Sequence, residues 1–145
     1  MSATLQERFS TALHSTARAW RQAVDRRLKD LGVSQAGWLT IAVAAKADEP
    51  LSQIEIAHRL GVEGATMVAM IDRLVKAGLV VREPSATDRR VKRVVLTKSG
   101  MRLYRKVKAE ADAFRSELLA KVDAKKLAAA ADLLEQLHRA AESLT

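Results

Sequence analysis

Two short helices, each with a defined start and stop, are predicted in the middle of the chain, and they constrain the fold more than any other feature. Ser52 and Glu55 form the S-x-x-E pattern of a capping box, which satisfies free N–H groups at a helix start. It opens a helix over residues 53–60 that Gly61 ends, and a second helix follows over residues 64–77. This arrangement is typical of a helix-turn-helix. The inward face of the second helix is predicted to carry Met67, Ile71, Leu74 and Val75.

The hydrophobic pattern changes period immediately after the second helix. Residues 79–81 form one run rich in β-branched side chains, residues 91–96 contain another, and the turn-forming residues 83–88 lie between them. This pattern predicts a two-stranded hairpin, the wing of a winged helix-turn-helix. Amphipathic helices are predicted over most of the remaining chain, at residues 4–31, 34–47, 99–120 and 125–144. We therefore predict a mainly α fold with a small β-hairpin.

The positive charge of the chain indicates the class of its partner. The 145 residues include 25 Lys and Arg against 17 Asp and Glu, which gives a formal net charge of +8. Such a balance favours a polyanion, because each cation that neutralises a phosphate releases condensed counterions. A membrane surface is also anionic, so charge alone does not choose between nucleic acid and membrane.

Other features of the sequence exclude several classes of protein. No cysteine occurs, which excludes disulfides and thiolate metal sites. No run approaches the roughly 20 apolar residues that span a bilayer, and residues 1–8 lack the apolar core of a signal peptide. The Gly-rich phosphate loop, His-Glu-x-x-His and Gly-x-Ser-x-Gly patterns of enzymes do not occur. The sequence predicts a cytoplasmic, nucleoid-associated protein that is not an enzyme and has no cofactor, metal or membrane partner.

The predicted wing is densely basic. Its basic residues are Arg82, Arg89, Arg90, Lys92, Arg93 and Lys98. A hairpin tip with arginines fits a minor groove, where phosphates crowd together and the potential is most negative. Asp88 interrupts this series and would repel phosphate, so we expect it to orient an arginine through a charge-assisted pair.

Four segments carry a resemblance to a known family. The wing signature of the MarR family, an Asp-x-Arg before an apolar strand and Leu-Thr, is matched by DRRVKRVVLT at residues 88–97. Three further segments agree in order and spacing: SQIEIA at 52–57, MIDRL at 70–74 and KAGLV at 76–80. The chain resembles this family from its first helix to its last. Residues 20–28, together with the wing, are most similar to the SlyA-like branch.

The resemblance implies a single domain over residues 1–145 that works as a homodimer and binds double-stranded DNA. Residues 1–32 and 99–145 would supply the dimerisation helices, and residues 34–98 the winged helix-turn-helix lobe. The second short helix would enter the major groove, and Arg90 would enter the minor groove. The residues expected to contact DNA are Ser52, Gly64, Ala65, Thr66, Ala69, Met70, Arg73, Arg82, Asp88, Arg89, Arg90 and Lys92.

This second helix, the recognition helix, departs from its relatives at positions expected to face DNA. Ala69 stands where the SlyA-like pattern has a basic residue, and Gly64 and Ala65 offer no side-chain hydrogen bonds. We expect base readout by Thr66, Arg73 and apolar contacts with thymine methyl groups. A larger share of the specificity would then come from groove shape.

The resemblance also implies a site for a small aromatic carboxylate between the dimer helices and the DNA-binding lobe. Trp38 matches a pocket aromatic residue of the SlyA-like branch, and Arg18 or Arg21 would meet the carboxylate in a bidentate manner. Ala42 is included in the predicted site. In the alternative interpretation, Trp38 belongs to the core and both arginines are surface or dimer contacts.

Three functions remain open on the sequence alone. The first is a regulator that reads a pseudo-palindromic operator, with half-sites about one helical turn apart, and is released by the carboxylate. The second is a weakly specific architectural DNA-binding protein, which the bare start of the recognition helix favours. The third is a winged-helix module for protein–protein contact, against which the arginine-rich wing argues. The sequence favours the first.

Overall fold

A computed structural model describes residues 2–144, so Met1 and Thr145, the ends of the predicted domain, lie outside the described residues. These residues form two compact units, one ending at Ala111 and one beginning at Asp112. The helices are α1 Leu5–Leu28, α2 Gln35–Lys46, α3 Gln53–Leu60, α4 Gly64–Lys76, α5 Lys98–Leu119 and α6 Ala124–Glu142, with a 3-10 turn at Lys29–Leu31. The strands are β1 Leu51–Ser52, β2 Val80–Pro84 and β3 Lys92–Leu96.

The capping signals place α3 where the sequence predicts it. The Ser52 hydroxyl accepts from the Glu55 N–H at 3.1 Å, and the Glu55 carboxylate accepts from the Ser52 N–H at 3.2 Å. Gly61 ends the helix in the left-handed conformation, with φ +67°, which only glycine adopts at little cost. The predicted bounds of α3 are therefore confirmed, and α4 follows after three residues.

The sheet has three strands instead of the predicted two. Its order is β1-β3-β2, and both pairings are antiparallel. Glu83 and Pro84, predicted as part of the turn, belong to β2, where Pro84 lies opposite Lys92. A proline is tolerated there because β2 is an edge strand and needs no N–H bond at that position. The third strand, β1, was missed because two residues are too short to show an alternating pattern.

The core of the first unit lies among α2, α3, α4 and the sheet. Its buried members are Ile41, Leu51, Ile56, Ala57, Met67, Ile71, Leu74, Val80 and Val94. The prediction that Val75 faces inward was wrong, since Val75 is 36% exposed. It follows Leu74 directly, and one helical step of about 100° turns it away from the buried face.

Thr97 joins the sheet to α5 and to the end of α4. Its hydroxyl donates to the Gly78 carbonyl at 2.7 Å and accepts from the Gly100 N–H at 3.0 Å, while its own N–H donates to the Leu79 carbonyl at 3.1 Å. Gly100 is required for this close approach, because an added Cβ would lie 2.0 Å from the Leu79 carbonyl oxygen. The Leu-Thr end of the wing signature thus fixes the start of α5 against the sheet and the end of α4.

Two terminal helices leave apolar side chains uncovered. In α1, Leu5 is 75% exposed and Phe9 39%, and α6 contains no buried residue at all. The partly exposed leucines of α6 are Leu127, Leu133, Leu134 and Leu137, at 38–44%. None of the described helices is both long and apolar enough to cross a bilayer.

Candidate nucleic-acid interface

Over its first half, residues 64–69, the surface of α4 that points away from the core consists mainly of small side chains. Met67, Ile71 and Leu74 are buried on the inner side, so a helical period of 3.6 places Ala65 and Ala69 close to the opposite side. The predicted contact residues Gly64, Ala65, Thr66, Ala69 and Arg73 are all exposed. This face lets the α4 backbone come close to another surface, with Thr66 and Arg73 as its hydrogen-bonding groups.

Arg82 on β2 connects the wing to both short helices. Its Nε donates to Gln53 Oε1 at 2.6 Å, and its Nη2 donates to Asp72 Oδ1 at 2.5 Å and to the Val68 carbonyl at 3.3 Å. The Arg82 side chain is 26% exposed and that of Asp72 is 60% exposed. The contact of Arg82 with DNA stays a prediction. In the structure, the Arg82 guanidinium donates hydrogen bonds to three acceptors within the protein.

The tip of the wing is a closed and internally hydrogen-bonded loop. The Ser85 N–H donates to the Val91 carbonyl at 2.8 Å, and the Val91 N–H donates to the Asp88 carbonyl at 3.0 Å. Ser85 is buried, and its hydroxyl accepts from the Thr87 N–H at 3.3 Å. These bonds fix the shape of the loop that presents the exposed side chain of Arg89.

Asp88 holds Arg90 as the sequence predicts. Asp88 Oδ1 accepts from the Arg90 N–H at 3.0 Å and from its Nε at 3.2 Å, and Asp88 Oδ2 accepts from Arg90 Nη2 at 3.3 Å. The Arg90 side chain remains 91% exposed. The pair therefore restrains the direction of a guanidinium that is almost fully open to solvent.

The same contacts change the titration of Asp88. The side-chain hydrogen bonds from Arg90, followed by its backbone N–H, lower the pKa of the Asp88 carboxyl below its ordinary value of 3.8. Because the pKa is lowered in the folded protein, the pair is fully present above pH 3.8 and is lost only as the pH falls through the lowered pKa. The pair is thus intact throughout the neutral range.

Three other predicted contact residues have distinct environments. Ser52 is 8% exposed, and its hydroxyl serves as the α3 cap. Met70 is half-buried and packs against the core of the first unit. Lys92 is exposed at the start of β3, close to the wing loop. The structure therefore places Lys92 beside the exposed arginines of the wing loop, whereas Ser52 is buried.

The predicted ligand residues lie on α1 and α2. Arg18 and Arg21 are exposed, Ala42 is 5% exposed, and Trp38 is half-buried. The Trp38 indole Nε1 is buried and makes no hydrogen bond to the described residues. An unpaired buried donor costs about 1–3 kcal/mol, so Trp38 is a site where an added acceptor would be stabilising.

A cavity of about 410 Å³ lies at the junction of α1 and α2. It is lined by Asp25, Arg26, Lys29, Gly32, Val33 and Ser34. None of the four predicted ligand residues is among these lining residues, so the cavity and the predicted site do not coincide.

Sequence reasoning missed two residues that support the interface. Gln53 and Asp72 both accept from Arg82. They are separated from it by 29 and 10 residues, and no spacing rule for helices or hairpins connects such positions. The only available signal was the unusual presence of an acidic residue on the exposed side of a helix expected to face DNA.

Comparisons with known proteins agree with this fold. The family model described as MarR family matches residues 31–91. The transcriptional regulator PA3341 is 38% identical to the chain, and the match covers 93% of this chain and 98% of that one with a TM-score of 0.84. These comparisons confirm the winged helix-turn-helix architecture.

Two further solved structures are similar over nearly the whole chain. CouR from Rhodococcus jostii RHA1, bound to p-coumaroyl-CoA, is 25% identical over 94% of this chain and 95% of that one, with a TM-score of 0.83. MarR from Staphylococcus aureus, in complex with salicylate and kanamycin, is 22% identical over 97% and 95%, with a TM-score of 0.88.

Proposed function

This chain belongs to the MarR family of transcriptional regulators, which are not enzymes, and from that premise we propose that it binds a pseudo-palindromic operator as a homodimer. The observation that carries the proposal is the wing tip, where Asp88 restrains an Arg90 side chain that is 91% exposed. A restrained guanidinium loses less freedom on binding than a free one. It suits a narrow minor groove, where the potential attracts arginine.

The face of α4 supports a role as the recognition helix in the major groove. The small side chains of Ala65 and Ala69 permit close approach to base edges and contact thymine methyl groups. Thr66 and Arg73 supply hydrogen bonds, and Arg73 has the geometry for a bidentate contact with guanine. Ser52 and Met70 remain in the predicted set, with less exposed surface to offer.

The uncovered apolar side chains of α1 and α6 support the homodimer. Burial of a leucine is worth about 1.5–3 kcal/mol, and each α6 presents four partly exposed leucines. A second copy related by a two-fold axis covers these stripes and sets two recognition helices about 34–36 Å apart. In this proposal, residues 1–32 and 99–145 supply the dimerisation helices and residues 34–98 form the DNA-binding lobe. The proposal also includes a cytoplasmic location at the nucleoid and membership of the SlyA-like branch.

The effector we propose is a small aromatic carboxylate that binds near Trp38. The buried indole N–H has no acceptor among the described residues, and a carboxylate oxygen would supply one. Arg18 or Arg21 would neutralise the charge of the ligand. Salicylate, named together with kanamycin for the Staphylococcus aureus MarR, is an aromatic carboxylate, and p-coumaroyl-CoA, named for CouR, is the thioester of an aromatic acid. Such a ligand releases DNA only if it binds the DNA-incompetent spacing of the recognition helices more tightly.

A second function is favoured by one observation, the bare start of α4. Gly64 and Ala65 carry no hydrogen-bonding side chains, as in an architectural protein that relies on backbone charge and groove shape. The two functions differ in specificity, since sequence-specific regulators exceed their random-DNA affinity by about 10³ or more.

The operator hypothesis is tested by fluorescence anisotropy with duplex DNA from upstream of the protein's own gene. A scrambled duplex of equal length is the control, and both are titrated at two salt concentrations. We expect tight, salt-sensitive binding to the upstream duplex, with a preference of at least about 10³ at fixed salt. Equal affinity for the two duplexes would favour the architectural function, and no binding to any DNA at low salt would favour a protein-contact module.

The effector is tested in the same assay with salicylate. We expect salicylate to lower the affinity of the wild-type protein for the upstream duplex. In Trp38→Phe the ring is retained and the N–H is removed, so we expect normal DNA binding and a weaker response to salicylate. A full salicylate response in Trp38→Phe would remove Trp38 from the proposed site.

A further inference from the structure

Arg82 occupies an unusual position for a basic residue of the wing. Its guanidinium donates to one acceptor on α3 and two on α4. With its side chain only 26% exposed, this group is partly removed from water, where a hydrogen-bonded ion pair is stronger than one on an open surface. Arg82 therefore links three elements of the proposed DNA-binding lobe: α3, α4 and the wing strand β2.

The charged acceptor on α4, the Asp72 carboxylate, explains why this link matters. Asp72 follows Ala65 by seven residues and Ala69 by three, so the helical period places it on the same exposed side of α4. A carboxylate on that side would repel phosphate if it were unpaired. Arg82 Nη2 lies 2.5 Å from Asp72 Oδ1, which neutralises the negative charge within the interface itself.

We propose that Arg82 is a positioning residue that fixes the angle between α4 and the wing and neutralises Asp72, instead of contacting phosphate. This inference rests on the proposed DNA-binding function and specifies how its surface is held in shape. The planar guanidinium is needed because it reaches three acceptors in different directions at once, which a lysine ammonium does not do with the same geometry. The Val68 carbonyl lies on the same helix as Asp72, so the guanidinium hydrogen-bonds to α4 at two positions one turn apart.

The sign of the Asp72→Ala effect distinguishes positioning from simple electrostatics. Removal of a negative charge near DNA should strengthen binding if charge alone matters. Because Asp72 holds Arg82, we expect Asp72→Ala to weaken operator binding roughly 10-fold or more. Asp48→Ala is the matched control, since it removes an exposed carboxylate in the loop between α2 and β1, outside the proposed dimerisation helices, the two short helices and the wing. Tighter operator binding by Asp72→Ala would overturn the proposal.

Arg82→Ala separates positioning from phosphate contact through the salt dependence. Loss of a phosphate contact from both protomers lowers the slope of log affinity against log salt by about 1.8. We expect Arg82→Ala to lower operator affinity roughly 10- to 100-fold. Because this change also leaves the Asp72 carboxylate unpaired, the slope is measured in Arg82→Ala/Asp72→Ala, which keeps the net charge of the wild type, and there we expect it to be unchanged. The preference for the operator over a scrambled duplex should also fall. A variant that is merely less stable would lose affinity for both duplexes by the same factor, because only its folded fraction binds, and its preference for the operator would be unchanged. In the double variant we expect little further loss beyond Arg82→Ala, because both substitutions break one link.

Hydrogen exchange in the free protein tests the link without DNA. We expect amide exchange in α4 to rise roughly 10-fold in Arg82→Ala, with exchange in α6 unchanged as an internal control. Unchanged exchange in α4 would overturn the proposal whether or not the protein binds DNA. Failure of the wild-type protein to bind any DNA would instead refute the proposed function, and the exchange result would still decide the role of Arg82.

Discussion

We expect Arg90→Ala to lower the affinity of the proposed dimer for its operator by roughly 1–3 kcal/mol for each wing, the value of an ordered groove contact. The fold is expected to be unaffected, because the Arg90 side chain is 91% exposed and, among the described residues, it hydrogen-bonds only to Asp88. Equilibrium binding by anisotropy gives the affinity, and thermal unfolding shows whether the variant is folded.

Two matched variants assign the loss to the groove contact. Arg90→Lys keeps the charge but loses the planar group that Asp88 restrains, so we expect it to recover only part of the affinity. Lys46→Ala removes an exposed basic side chain at the end of α2, outside the proposed dimerisation helices, the two short helices and the wing, and we expect nearly wild-type affinity. Full affinity of a well-folded Arg90→Ala protein would remove the wing from the proposed mechanism.

Leu134→Glu should convert the protein into a monomer and abolish tight operator binding. Leu134 is 44% exposed in the single chain, so the substitution removes no packing within the described residues that would unfold it. In the proposed dimer, each of two such leucines contributes about 2 kcal/mol, and burial of two carboxylates adds a further cost. We therefore expect the dimer dissociation constant to rise by about 10³ or more.

Sedimentation velocity over a range of concentrations measures this change. Gln136→Glu is the control, because it introduces the same side chain on α6, two residues from Leu134 and therefore about 200° around the helix. We expect this variant to remain dimeric. If Leu134→Glu sediments as a dimer at all concentrations, α6 is not part of the subunit interface.

The elements with local signals were predictable from the sequence. The capping box and Gly61 determine the ends of α3, and each signal acts within four residues of the backbone that it satisfies. The Asp88–Arg90 pair is similarly local, since its members are two residues apart. The basic wing and the small outer face of α4 followed from residue types alone, because periodicity assigns the faces of a helix.

The features that depend on distant contacts were not predictable. The strand β1 exists only because Leu51 and Ser52 pair with Val94 and Arg93, more than 40 residues further along the chain. The role of Arg82 depends in the same way on where α3 and α4 lie relative to β2. Thr97 was recognised as part of a wing signature, yet its hydroxyl bonds show that it caps α5 and holds the Gly78 carbonyl.

Selection of binding sites from a randomised duplex library tests the central claim most directly, because it requires no knowledge of the operator. The full-length protein is incubated with the library at fixed salt, and bound duplexes are amplified and sequenced over several rounds. We predict enrichment of an inverted repeat whose half-sites are centred about one helical turn, 10–10.5 base pairs, apart. Enrichment of no common sequence, or of a single site without two-fold symmetry, would contradict a dimeric, sequence-specific regulator.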